Sequence, residues 1–195
     1  MREKNEYTVY LAGELFDVKH LAGNALIAEA LAAVSSGRYA PVLPQDLELP
    51  SLDAKAIRDT DYKSLLDCDA AVFQFDGTDL DSGTVAEFMA AKFADIPSVL
   101  LRTDLRRSGD RNVRPWNLMC DSFPRTEALV IDAMELYSME REKGGSSALD
   151  SVRSISRAIA TRLAQSLDVA MDQSPVLDES ERKTSLELIE KTFDL

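Results

Sequence analysis

Short runs of β-forming apolar residues alternate with segments of helical periodicity along most of the chain, and no other feature restricts the fold as strongly. Residues 8–12 (TVYLA) are closed by Gly13 and read as a first strand. Residues 21–34 repeat apolar side chains at helical spacing and end near Gly37. Residues 39–43 form a second strand stopped by Pro44, and residues 53–66 a helix with Ile57, Leu65 and Leu66 as its expected buried positions. Residues 70–75 are a third strand, 84–93 a helix and 98–101 a fourth strand. A long polar loop over 103–125 then leads to a fifth strand at 128–131. Strands joined through helices run parallel and lie in a sheet covered on both faces. The expected fold is therefore α/β, a doubly wound parallel five-stranded sheet with helices on both faces. Gly144-Gly145-Ser146-Ser147 marks a flexible break, followed by helices at 149–167 and 181–193. This divides the chain into an α/β domain over 1–140 and a helical extension over 141–195, packing on that domain or on a neighbouring subunit.

Composition narrows the chemistry. A formal charge of −12 argues against a nucleic-acid partner, which needs a positive footprint, but leaves a small neutral ligand open. His20 is the single histidine, so His-based metal clusters and paired-His catalysis are excluded and no metal or cofactor is expected. His20 itself is expected to be structural or exposed. Acid–base work falls to carboxylates, tyrosine or lysine. Cys68 and Cys120 are too few for a disulfide framework and fit a reducing cytoplasm. No apolar run reaches the roughly 18 residues of a membrane span, and the first residues lack the apolar stretch of a secretory signal.

In an open α/β sheet, ligands bind beyond the carboxyl ends of the strands. That edge collects Gly13, Glu14 and Phe16 after strand one, and Gln45, Asp46 and Glu48 after strand two. It also collects Asp61 from the second helix, Asp81 and Glu87 after strand three, and Asn117 and Met119 after strand four. Asp67 and Asp69 sit at the opposite edge and read as turn and capping residues. The most informative stretch is Asp81-Ser82-Gly83-Thr84-Val85-Ala86-Glu87. A glycine-containing turn that opens a helix lets a ligand approach exposed backbone N–H groups. Thr84 and Glu87 also have the spacing of a capping box, in which case they would stabilise the helix start without chemistry.

Four elements in order resemble the nucleoside 2-deoxyribosyltransferase family. Residues 9–16 (VYLAGELF) are similar to its opening strand and glycine turn. Asp61 with Leu65 and Cys68-Asp69 follows its D-x3-I/L-x2-C/N-D pattern. Asp81-Ser82-Gly83-Thr84 with Glu87 follows its D-x-G-T-x2-E element, and Asn117-Leu118-Met119 its N-L-M loop. The resemblance covers about residues 8–132 and implies a flavodoxin-like sheet, a deoxynucleoside and a free nucleobase as partners, and no cofactor. It implies that Glu87 attacks the anomeric carbon and that Asp61 protonates the departing base and deprotonates the incoming one. Tyr10 would orient Glu87, and Asp81, with the Ser82-Gly83 turn, would hold the sugar. Gly13, Phe16, Gln45, Asp46 and Glu48 would complete the pocket. Asn117 and Met119 would reach into a neighbouring subunit's site, which makes the protein a homo-oligomer with shared sites.

Each residue also has a plain reading. Tyr10 and Phe16 can be packing, Asp61 a solvated helix position, Met119 a gap filler and Asn117 a turn former. Position 14 is Glu where many relatives carry Pro, and the tail beyond 140 is longer than in the shortest members. Two rivals remain at this level. A hydrolase would pass the same Glu87 ester to water; Arg106, Arg107, Arg111 and Arg114 in the loop after strand four could grip a 5′-phosphate, although they read more plainly as a solvated loop and Glu14 would repel a phosphate. A non-catalytic nucleotide sensor would keep the fold alone.

Overall fold

The computed structural model describes residues 6–51, 53–106, 115–145 and 147–195. Five parallel strands form one sheet in the order β2-β1-β3-β4-β5. They are β1 (Tyr7–Ala12), β2 (Tyr39–Val42), β3 (Ala70–Gln74), β4 (Ser98–Arg102) and β5 (Thr126–Val130). The helices are α1 (Val18–Val34), α2 (Ala54–Asp67), α3 (Ser82–Phe93), α4 (Ala133–Glu142), α5 (Ala148–Asp172) and α6 (Glu179–Phe193). This is the doubly wound sheet expected from the alternation. Because β1 pairs with both β2 and β3, the strand order reverses there and the chain leaves a crevice at the carboxyl end of β1.

Alternation along the strands sorts the core into two layers. Tyr10, Ala12, Ala71 and Phe73 pack with Leu65 and Leu66 of α2, Phe88 and Ala91 of α3 and Ile189 of α6. Val9, Leu11, Val72, Val99 and Leu101 pack on the other side with Leu31 of α1 and Ile159, Leu163 and Leu167 of α5. Burying each such aliphatic or aromatic side chain contributes about 1.5–3 kcal/mol. Helix α5 thus belongs to one covering layer and α6 to the other. The connection between them is clasped by Asp95, whose Oδ2 accepts from the backbone N–H groups of Val176 (2.9 Å) and Leu177 (3.2 Å).

Several boundaries differ from the sequence reading. Helix α1 begins three residues earlier, because Asp17 caps it by accepting from the N–H groups of Lys19 and His20. Strand β5 begins at Thr126, in register with Ser98. Helix α4 was not expected: it spans ten residues, buries none of them fully and starts at the Asp132 cap. Ile57, expected in the core, is 36% exposed and faces a cavity. Among the described residues no helix is long and apolar enough to cross a membrane.

Candidate active site

A cavity of about 680 Å³ opens at the crevice, lined by residues from four segments. Gly13, Leu15, Phe16 and Leu21 come from the loop after β1 and the start of α1, and Pro44, Gln45, Leu47 and Leu49 from the segment after β2. Helix α2 presents Ala54, Ile57, Arg58, Asp61 and Tyr62, a single stripe at helical spacing. Asp81, Gly83, Thr84 and Glu87 come from the start of α3.

Glu87 lies at the floor. The Tyr10 hydroxyl, fully buried within β1, donates to Glu87 Oε1 at 2.8 Å. Burial pushes the Glu87 carboxyl up to about 7; the Tyr10 hydrogen bond opposes this, while the charges of Asp61 and Asp81 add to it. Burial also raises the Asp61 carboxyl. The Tyr10 hydroxyl is raised far above its ordinary range, by burial first and then by the Glu87 charge, so it stays a donor. Three carboxylates therefore share a partly dry space, an arrangement that costs stability and that folding alone does not require.

The helix start is built differently from the capping-box expectation. Asp81 is the cap of α3, its Oδ2 accepting from the Thr84 N–H (2.7 Å) and the Thr84 hydroxyl (2.9 Å). Thr84 is spent on Asp81, and Glu87 stands in the second turn with no part in capping. Asp81 also lines the cavity. Gly83 and Gly13 are needed for close approach. A Cβ at Gly83 would lie 3.1 Å from Asp81 Oδ2, and one at Gly13 2.8 Å from Gln74 Oε1.

Of the remaining candidates, Gln45 lines the cavity but its amide is engaged within the fold, donating to the Leu21 carbonyl at 3.2 Å. Asp46 and Glu48 are exposed and do not line the cavity, because the extended chain after Pro44–Asp46 turns Leu47 and Leu49 inward instead. Ser82, at the first position of α3, is also exposed and outside the lining. Phe16 does line the cavity, yet it is 76% exposed. Asn117 and Met119 are on the surface away from this chain's cavity. Asn117 caps the short turn Leu118–Cys120, and Met119 is 71% exposed. Arg58 and Tyr62 are lining residues that sequence reasoning missed, although their spacing from Asp61 on one helix could have revealed them.

Beyond Asp81 a second, polar hollow of about 320 Å³ is lined by Glu14, His20, Gln74, Asp76, Thr103, Asp104 and Arg106, among others. Its carboxylates outnumber its cations. Arg106 pairs with Asp104 at 2.5 Å, and Arg107, Arg111 and Arg114 lie outside the described residues. His20 Nε2 lies 3.0 Å from Glu14 Oε2, on the loop that carries Leu15 and Phe16. Asp69 is turned inward at the opposite edge, accepting from the N–H and hydroxyl of Thr8 at 2.7 and 2.9 Å. Among the described residues no group of His, Cys, Asp or Glu could hold a metal ion.

A family model described as nucleoside 2-deoxyribosyltransferase matches residues 9–119, the stretch that supplies Tyr10, Asp61, Asp81 and Glu87. The chain belongs to that family. Solved structures agree on the fold. A conserved protein from Enterococcus faecalis V583 is 24% identical with a TM-score of 0.53, covering 78% of this chain and 99% of its own. A 2-desoxiribosyltransferase from Leishmania mexicana is 23% identical with a TM-score of 0.51, covering 66% and 92%. No curated protein matches the chain significantly.

Proposed function

We propose that this member of the family exchanges the base of 2′-deoxynucleosides, with Glu87 as nucleophile. The observation that carries the reading is the Tyr10–Glu87 hydrogen bond at the floor of a cavity that also holds Asp61 and Asp81. Tyr10 restrains Oε1, so Oε2 is the oxygen that attacks the anomeric carbon. As the C1′–O bond forms, the C1′–N bond breaks and its electron pair leaves with the base, which takes a proton from Asp61. In the second step a nitrogen of the incoming base attacks C1′ and the ester bond breaks. Glu87 is restored as a carboxylate, and Asp61 recovers a proton. Two displacements retain the anomeric configuration. Burial, which raises the Asp61 carboxyl, favours its protonated form, as an acid requires, and Asp81 lines the same cavity to accept from a sugar hydroxyl. No cofactor enters this scheme.

The outward Asn117 and Met119 fit a role in a neighbouring subunit's site, which makes the working unit a homo-oligomer. A cytoplasmic place in nucleoside salvage is the setting this chemistry suits. The test is incubation with 2′-deoxyinosine, with and without adenine, followed by chromatography. We expect 2′-deoxyadenosine only when adenine is present and none with Glu87→Ala. Hypoxanthine released at one rate regardless of adenine would make the protein a hydrolase. Nucleoside binding with no turnover would make it a sensor.

A further inference from the structure

The stripe of α2 that lines the cavity is gripped from outside by the last turn of α6. The Phe193 ring packs on Tyr62 with centroids 4.7 Å apart and planes tilted by 53°. The Phe193 carbonyl accepts from Arg58 Nη2 at 2.7 Å, and the Asp194 carbonyl from Lys55 Nζ at 2.7 Å. Tyr62 and Arg58 both line the cavity, one on each side of Asp61 along the chain. We infer that Phe193 is a positioning residue for the base-binding wall, holding Tyr62 by its ring and Arg58 by its carbonyl. The inference rests on the proposed function for the identity of the ligand.

Helix α6 does not need this contact in order to dock. Its buried anchor is Ile189, one turn earlier. Its first half is tied to the end of α3 by Ser185 donating to the Phe93 carbonyl (2.5 Å) and Arg182 to that of Ala94 (3.2 Å). Phe193 packs against the edge of the same core cluster and from there reaches the wall. Tyr62 packs in part against the core and in part lines the cavity, so its ring can still turn on binding a flat base unless it is held from outside. Restraining it in advance lowers the cost of binding. The contribution should appear in binding and hardly in chemistry, since Phe193 is not among the residues that line the cavity.

The experiment uses the full chain with Phe193→Ala, Phe193→Leu, Tyr62→Ala, the Phe193→Ala/Tyr62→Ala double variant, and Ile189→Ala as a core control. Aromatic pairs of this kind are worth enough to shift KM for 2′-deoxyinosine by about 3- to 10-fold in Phe193→Ala, with kcat within about twofold. Phe193→Leu should recover most of the loss. The double variant should be no worse than Tyr62→Ala, because both changes remove one contact. Ile189→Ala should lower Tm and leave KM alone. An unmoved KM in Phe193→Ala, additive losses, or an equal KM shift in Ile189→Ala would overturn the inference. Binding of 2′-deoxyinosine is also titrated by calorimetry in a Glu87→Ala background. If the wild-type protein exchanges no base but Phe193→Ala still weakens this binding, the brace stands and the proposed reaction falls. If exchange proceeds and Phe193→Ala changes nothing, only the brace falls.

Discussion

Two acidic residues, Glu87 and Asp95, sit at opposite ends of the same stretch of chain, one in α3 and one just beyond it, and the fold treats them differently. Asp95 is 5% exposed and its charge is answered: Arg125 lies 3.1 Å away and the N–H groups of Val176 and Leu177 point at its Oδ2. Glu87 receives one hydrogen bond, from Tyr10, and has Asp61 and Asp81 as neighbours instead of a cation. A matched buried carboxylate secures structure; an unmatched one among its own kind is held at a cost by the surrounding fold, and such groups gather where chemistry is done. The contrast separates the end of α3 that faces the cavity from the end that fastens.

The contrast can be broken most directly at Glu87. Glu87→Gln should lower the exchange rate by about 10⁴-fold or more, since Glu87 is the carboxylate that receives the Tyr10 bond, while at pH 8 the protein becomes more resistant to urea than the parent, because a buried charge is removed. Asp95→Ala should do the reverse. Unfolding in urea should show a loss of about 3–5 kcal/mol, because Arg125 is left unmatched in the interior, with the rate per folded molecule little changed. Tyr10→Phe probes the one bond Glu87 does receive. Its kcat should fall by about 10- to 100-fold and the acidic limb of the pH–rate profile should move upward, because that bond favours the ionised carboxylate.

A further effect is in stability against pH. The Glu87 carboxyl titrates near 7 in the folded protein and at 4.5 when unperturbed, so the folded state holds the proton more tightly. Its contribution to stability is fully present below about 4.5 and is lost as pH rises through 7. Urea midpoints of parent and Glu87→Gln should therefore diverge across that window, and parallel curves would show that Glu87 is not the group responsible.

The sheet was legible in the sequence because the buried strands are compact apolar runs and the first three are followed closely by Gly13, Pro44 and Gly77. Helix α4 was not, since it buries no residue completely and a ten-residue helix leaves only a weak periodic signal. At the site, Asp61, Asp81 and Glu87 followed from their common edge. Thr84 and Glu87 misled as a capping pair, because spacing alone does not reveal that Asp81 had already claimed the cap. Asp46 and Glu48 misled as well. Whether a short extended segment shows its odd or even residues to a cavity depends on one turn, here the Pro44–Asp46 turn, that places Leu47 and Leu49 inside. Phe193 lies more than a hundred residues from Tyr62, and nothing local announces that contact.

The cap of α3 has a further consequence. Asp81 ties down the Thr84 amide and also lines the cavity, so a ligand that engages it also steadies the first turn of the helix. Amide exchange at Thr84 should slow as the cavity fills, giving a spectroscopic readout of occupancy about one helical turn from Glu87.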